Sequence, residues 1–163
     1  MQMLIHFYPA IVSLLSLYCY KRDNSWMQNF YRRMTFSVSA RKFFVLMMLL
    51  IMLIFNFCYL QSFGFNLTLG IATLLCMSMF SFRRTERGLI WLKQRVGIVL
   101  SMTAMLICVV KPQMWPLSMN LYIFTIGSIF YPSSRLMRQL ESPETFSKIA
   151  SHSETLISGY YSR

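Results

Sequence analysis

Acidic side chains are nearly missing from this chain, with five Asp and Glu in 163 residues. Charged residues of both signs reach 13%, against about a quarter in ordinary soluble domains. That scarcity excludes a well-solvated globule. A small domain keeps much of its surface in water, and 56% of these residues are hydrophobic. The five acids (Asp23, Glu86, Glu141, Glu144, Glu154) all fall in polar connecting segments. A proton-coupled pump or cation carrier needs a carboxylate at membrane depth, so their placement argues against both.

Other chemistry is thin as well. His6 and His152 stand near opposite ends of the chain and are expected on opposite sides of a bilayer, where they cannot share a metal. Cys19, Cys58, Cys76 and Cys108 form no CxxC pair and sit inside apolar runs. They read as small, reduced, buried hydrophobes rather than a disulfide framework. Serine and threonine are plentiful, yet no histidine or acid is placed to activate one. The expectation is no catalytic residue, no metal site, no cofactor and no enzyme.

What the chain does have is oily length. Apolar runs cover about 3–20, 43–60, 65–82, 96–110 and 117–131. A crossing needs about 20 residues, at about 1.5 Å each. The fold expected is all-α: a polytopic bundle of about five transmembrane helices over 1–132, followed by a cytoplasmic tail, 133–163. The first run lacks the preceding positive side chains and small-residue cleavage site of a signal peptide, and Lys21-Arg22 follow it. It is expected to remain as a helix with its N-terminus outside. The run at 96–110 is short, and a helix beginning near Gly88 would lengthen it, with Lys93 and Arg95 snorkelling to the headgroups. Pro112 and Pro116 are expected to break the chain between the last two spans.

The connectors decide sidedness. Segments 21–42, 83–95 and 133–163 carry 6, 5 and 4 Lys and Arg, whereas 61–64 carries none and 111–116 carries Lys111 alone. Fifteen of 16 basic residues thus fall on one face, which the positive-inside bias makes cytoplasmic. Nucleic-acid binding also accounts for a net charge of +11. It gives no reason for charge to alternate with oily runs, and nucleic acid is therefore excluded as a partner.

Within the basic stretches, Trp26, Met27, Phe30, Tyr31 and Met34 share a helical face. They predict an interfacial amphipathic helix at about 25–35, with Asn24 or Ser25 as cap. Ser142-Pro143-Glu144 predicts a tail helix at about 143–158. The Arg32-Arg33 and Arg83-Arg84 pairs recur at an offset of 51, which also aligns Lys42 with Lys93. Any two basic-loop-and-hairpin units resemble each other this far. The four arginines are candidate contacts for anionic lipid or a partner.

Small residues mark candidate packing faces: Gly97, Ser101, Ala104 and Cys108 in the fourth run, Ser118, Thr125 and Ser128 in the fifth, Gly70 and Thr73 in the third. Asn56, Asn66 and Asn120 are expected to face the bundle interior, since an unpartnered amide in lipid is costly. Asn66-Leu67-Thr68 matches a glycosylation acceptor but lies at the membrane, and is read as chance. The expected role is a small interaction protein of a bacterial cytoplasmic membrane. It would meet the bilayer and another membrane protein, or itself, through helix contacts, as a complex subunit or an immunity or exclusion factor. The alternative is a small transporter or lipid-handling carrier for a neutral or lipidic substrate.

Overall fold

In a computed structural model, residues 11–16, 18–20, 24–139 and 160–161 are described. They build an all-α structure, with no strand among them. Of the first run, residues 11–16 and 18–19 are helical and Tyr20 is in a turn; the rest of it, His6, the proposed tail helix and His152 lie outside the described residues.

Helix α1, Ser25–Phe36, follows Asn24, whose backbone is extended but whose side chain makes no cap bond. Met27, Tyr31, Met34 and Thr35 are buried, at helical spacing. Trp26 does not join them as its spacing suggested; it is 68% exposed. Ser37 then turns the chain into α2, Val38–Phe63, its side chain accepting from Ala40 N–H at 3.3 Å. At 26 residues α2 is about 39 Å long. Helical growth past both ends of the apolar run brings Arg41 and Lys42 inside the helix. It stops at Gly64, where φ is 76° and a Cβ would be strained.

Helix α3, Leu67–Ser78, is shorter than its apolar run of 65–82. Asn66 is its cap, its side chain accepting from Leu69 N–H at 2.7 Å, rather than an interior residue. Next comes α4, Phe82–Lys93, then a one-residue elbow at Gln94, then α5, Arg95–Val109. The two helices meet at 94°, so no continuous helix runs from Gly88 to lengthen the fourth run. Gly97 permits the corner: a Cβ there would lie 2.5 Å from the Trp91 carbonyl oxygen and 2.7 Å from Leu92 Cα.

A 3-10 turn, Pro112–Met114, leads into α6, Trp115–Ile129. Only Pro112 lies outside the helix; Pro116 sits in the first turn of α6, where a missing N–H costs nothing. Helices α2, α3, α4 and α5 all pack on α6, which makes it the axis of the bundle. A short α7, Ser134–Gln139, follows.

Among the described residues one helix, α2, is long and apolar enough to cross a membrane, with a mean hydropathy of 2.6 over its best window. Taken as one bent span, α4 and α5 make a second. With 12, 15 and 15 residues, α3, α5 and α6 are about 18, 22 and 22 Å long, less than the hydrocarbon thickness of about 30 Å.

The bundle has two dissimilar ends. At one, the turns after α2 and after α5 touch: Asn66 Nδ2 donates to the Gln113 carbonyl at 3.3 Å, and the Thr68 hydroxyl bonds the same oxygen. At the other, Arg41, Glu86 and Lys93 converge.

Candidate functional site

Arg41 lies one turn into α2, and this puts its guanidinium beside the last turn of α1. Its Nη1 donates to the Met34 and Thr35 carbonyls, at 3.3 and 3.1 Å. These are helix-end acceptors with no partner inside α1, and a cation there also suits the helix dipole. Arg41 Nε stands 3.5 Å from Glu86 Oε1, on α4. Glu86 is the one acid among the described residues. Its Oε1 also accepts from the Tyr131 hydroxyl at 2.6 Å.

Lys93 ends α4. Its position continues the buried series Thr85, Leu89, Leu92, so its ammonium enters the bundle and does not snorkel to the surface. It is 7% exposed. Nζ donates to the carbonyl of Tyr131, just past α6, and to that of Tyr160 at 2.7 Å. It also lies 5.1 and 5.5 Å from the ring centres of Tyr160 and Tyr161, within cation–π range.

The two tyrosines near the chain's end complete the cluster. The Tyr160 hydroxyl donates to the Phe130 carbonyl at 2.6 Å, and the Tyr161 and Tyr31 hydroxyls are 2.8 Å apart. Tyr160 and Tyr31 rings sit 4.8 Å apart. Burial holds the Tyr160 hydroxyl well above the usual phenol range, so it remains a neutral donor. Two buried cations and one partly buried carboxylate therefore meet at this end, with backbone carbonyls accepting from both cations. A buried charge is tolerable when paired and hydrogen-bonded, and these are.

This arrangement fastens segments together. The carboxylate of Glu86 is engaged by Arg41 and Tyr131. No group of three or more His, Cys, Asp or Glu among the described residues could hold a metal.

The small residues marked by spacing lie largely between helices of the same chain. Ser101 on α5 and Thr125 on α6 share a hydrogen bond, and Ser118 Oγ donates to the Met105 carbonyl at 3.3 Å. Ser128 is fully buried and bonds the Thr125 carbonyl at 2.6 Å. Ala104 is half-buried and Gly97 forms the corner; the Cys108 side chain lies outside the described residues. Gly70 is in contact range of the Phe65 ring, and Thr73 bonds back to Leu69 of its own helix. Asn56 and Asn120 are buried, as their cost in lipid predicted. Asn120 donates to the Ala72 carbonyl at 3.4 Å and to Cys76 Sγ at 3.3 Å, and Asn56 lies 3.9 Å from the same sulfur. Cys19, Cys58 and Cys76 are free thiols. Arg32, Arg33, Arg83 and Arg84 are all exposed, in pairs on α1 and α4.

The spacing of charged residues missed Arg41, Glu86 and Lys93 as a cluster. One signal was available: Lys93 falls in phase with the apolar face of α4, where a solvated lysine would not be placed. Tyr160 and Tyr161 carried no signal, since only the return of the tail brings them to the core. No protein-family model matches the sequence, and no curated protein or solved structure matches it.

Proposed function

We propose that this chain is a multi-pass protein of a bacterial cytoplasmic membrane, crossing about five times, with its N-terminus outside and its C-terminus in the cytoplasm. It acts without catalytic chemistry, through contacts with the bilayer and with another membrane protein or itself, as an accessory or immunity-type subunit. The observation that carries this reading is the division between inside and outside. Polar side chains such as Asn56, Asn120, Ser101 and Arg41 are turned inward. The outward residues of α2, α3 and α5 are large and apolar, among them Phe43, Phe57, Leu74, Val99 and Leu106. In water such faces would drive aggregation; in lipid or against a partner helix they are satisfied. The charge-poor turns meet at one end and Arg41 and Lys93 of the basic connectors lie toward the other, an arrangement that the positive-inside bias favours. Helices shorter than the hydrocarbon layer are accommodated by local thinning of the bilayer and by their flanking turns.

Single-cysteine labelling in intact cells tests the sidedness. In a background without native cysteines, Gln61→Cys and Gln113→Cys, both at exposed positions, should react with an impermeant reagent, and Ser134→Cys only after permeabilisation. The reverse pattern would invert the topology. Crosslinking in mild detergent tests the role: a discrete partner or self-adduct is expected, and recovery of the chain always alone overturns it. A second reading, a lipid-handling carrier, is favoured by the apolar cleft described next.

A further inference from the structure

A cavity of about 300 Å³ opens between the helical residues 11–16 and 18–19 and the faces of α1, α2 and α6, and its wall is almost wholly apolar. Leu15, Ile51, Ile123 and Ile126 are among its lining residues. It adjoins a larger one of about 900 Å³ beneath the α1–α2 elbow, where Asn29, Arg33 and Ser37 join the wall. Trp26, Phe30, Phe44 and Met47 line both. The two share these walls and are treated as one cleft, an oily part and a part with polar residues at its rim, each within the range of about 300–1,000 Å³ typical of small-molecule sites.

We propose that this cleft holds one anionic phospholipid, an acyl chain in the apolar part and the phosphate beside Arg33. Charge complementarity selects that occupant. Arg33 is exposed, and no hydrogen bond or ion pair engages its guanidinium among the described residues. The mouth also receives the start of α2, which has no acid in its first turn, so the partial positive charge of that helix end is unopposed by a carboxylate there. A zwitterionic headgroup would bring a second cation into this basic corner. A partner helix would fill the oily part but leave Arg33 without an anion. The cleft opens at the same end as Arg41 and Glu86, the face assigned to the cytoplasmic leaflet, where anionic lipids concentrate.

The inference rests on the membrane reading above, and the test separates the two. Trp26 lines both parts of the cleft and serves as reporter. The full chain carrying Trp91→Phe and Trp115→Phe is placed in phosphatidylcholine vesicles containing a minor share of brominated phosphatidylglycerol or, in a parallel arm, brominated phosphatidylcholine. Quenching of Trp26 should show about a fivefold preference for the anionic lipid, the value of one basic side chain at an anionic surface. Arg33→Gln should erase that preference and leave quenching by the zwitterionic lipid intact, with circular dichroism confirming retained helix. Trp91, kept alone with Trp26→Phe and Trp115→Phe, should show a smaller preference, that of exposed Arg84 and Arg87 on its helix without the cleft. Equal quenching by both lipids, an equal preference at Trp91, or a preference surviving Arg33→Gln overturns the proposal. So does a loss of quenching as protein is crowded in the vesicle, which would give the cleft to a second copy. No quenching by either lipid at either tryptophan would sink the membrane reading itself.

Discussion

The chain builds the same corner twice and uses it differently. Helices α1 and α4 each have 12 residues, each is followed by a single extended residue, Ser37 or Gln94, and each then turns into an apolar helix. The elements recur 57 residues apart. Their buried faces recur at 58: Met27, Tyr31, Met34 and Thr35 in the first, Thr85, Leu89, Leu92 and Lys93 in the second. At the first corner the buried cation, Arg41, caps the helix just before it. At the second, Lys93 reaches across the bundle to the end of α6 and to Tyr160. The first cation holds carbonyls of its own corner and also pairs with Glu86; the second holds carbonyls of distant segments. Two similarly built corners thus differ in whether the backbone carbonyls held by their buried charge are local, as for Arg41, or distant, as for Lys93.

Removing each cation should separate these roles. Arg41→Leu leaves the Met34 and Thr35 carbonyls without their side-chain donor and Glu86 without its cation, at a cost of about 3 kcal/mol for breaking a largely buried pair. Thermal unfolding in detergent would register this as the largest drop of the series, with exchange at Tyr160 and Tyr161 little changed. Lys93→Met should cost about 2 kcal/mol for two buried carbonyls left unbonded. Hydrogen exchange should then rise at Tyr160 and Tyr161. If both variants loosened the chain's end equally, the local-versus-distant distinction would be wrong.

The corners differ next in tightness. Three residues past each elbow stand Ala40 and Gly97. A Cβ at Gly97 meets backbone at 2.5 Å, and backbone does not yield as a flexible side chain does. Gly97→Ala is expected to destabilise by about 2 kcal/mol, the scale of overpacking, whereas Ala40→Gly should cost about 1 kcal/mol through helix propensity alone. Equal losses would mean that the second corner is no sharper than the first.

The smallest contrast concerns caps. Ser37 accepts from Ala40 N–H, while Gln94 makes no side-chain cap bond. Ser37→Ala should therefore lower stability by about 1 kcal/mol, and Gln94→Ala should leave the melting temperature within error. A matching loss at Gln94 would show a cap the geometry does not contain.

The repeat was partly legible. Matching arginine pairs gives an offset of 51, seven short of the buried faces. Seven residues are close to two helical turns, so a shift of that size keeps every residue near its original face. The amphipathic helix near 25–35 was legible for a related reason: its periodicity concentrates apolar residues on one side, and only Trp26, at the edge of that face, fell outside. Helix ends were less so. Hydropathy continues past Ser78 and past Gln94, but the chain bends there for reasons of backbone geometry that an apolar average does not register. The candidate cluster was least legible, because Arg41, Glu86 and Lys93 resemble ordinary connector charges until their partners are in place.

By itself the sequence determined the helical class, the inward fate of Asn56 and Asn120, and the sorting of positive charge among connectors, all of which depend on composition and short-range period. Tertiary structure decided which charges are buried, where α4 breaks from α5, and that Tyr160 and Tyr161 return to close the basic end. Those outcomes depend on carbonyls and rings separated by up to 130 residues along the chain, and a side chain's worth there is set by the partner it meets, which local pattern does not encode.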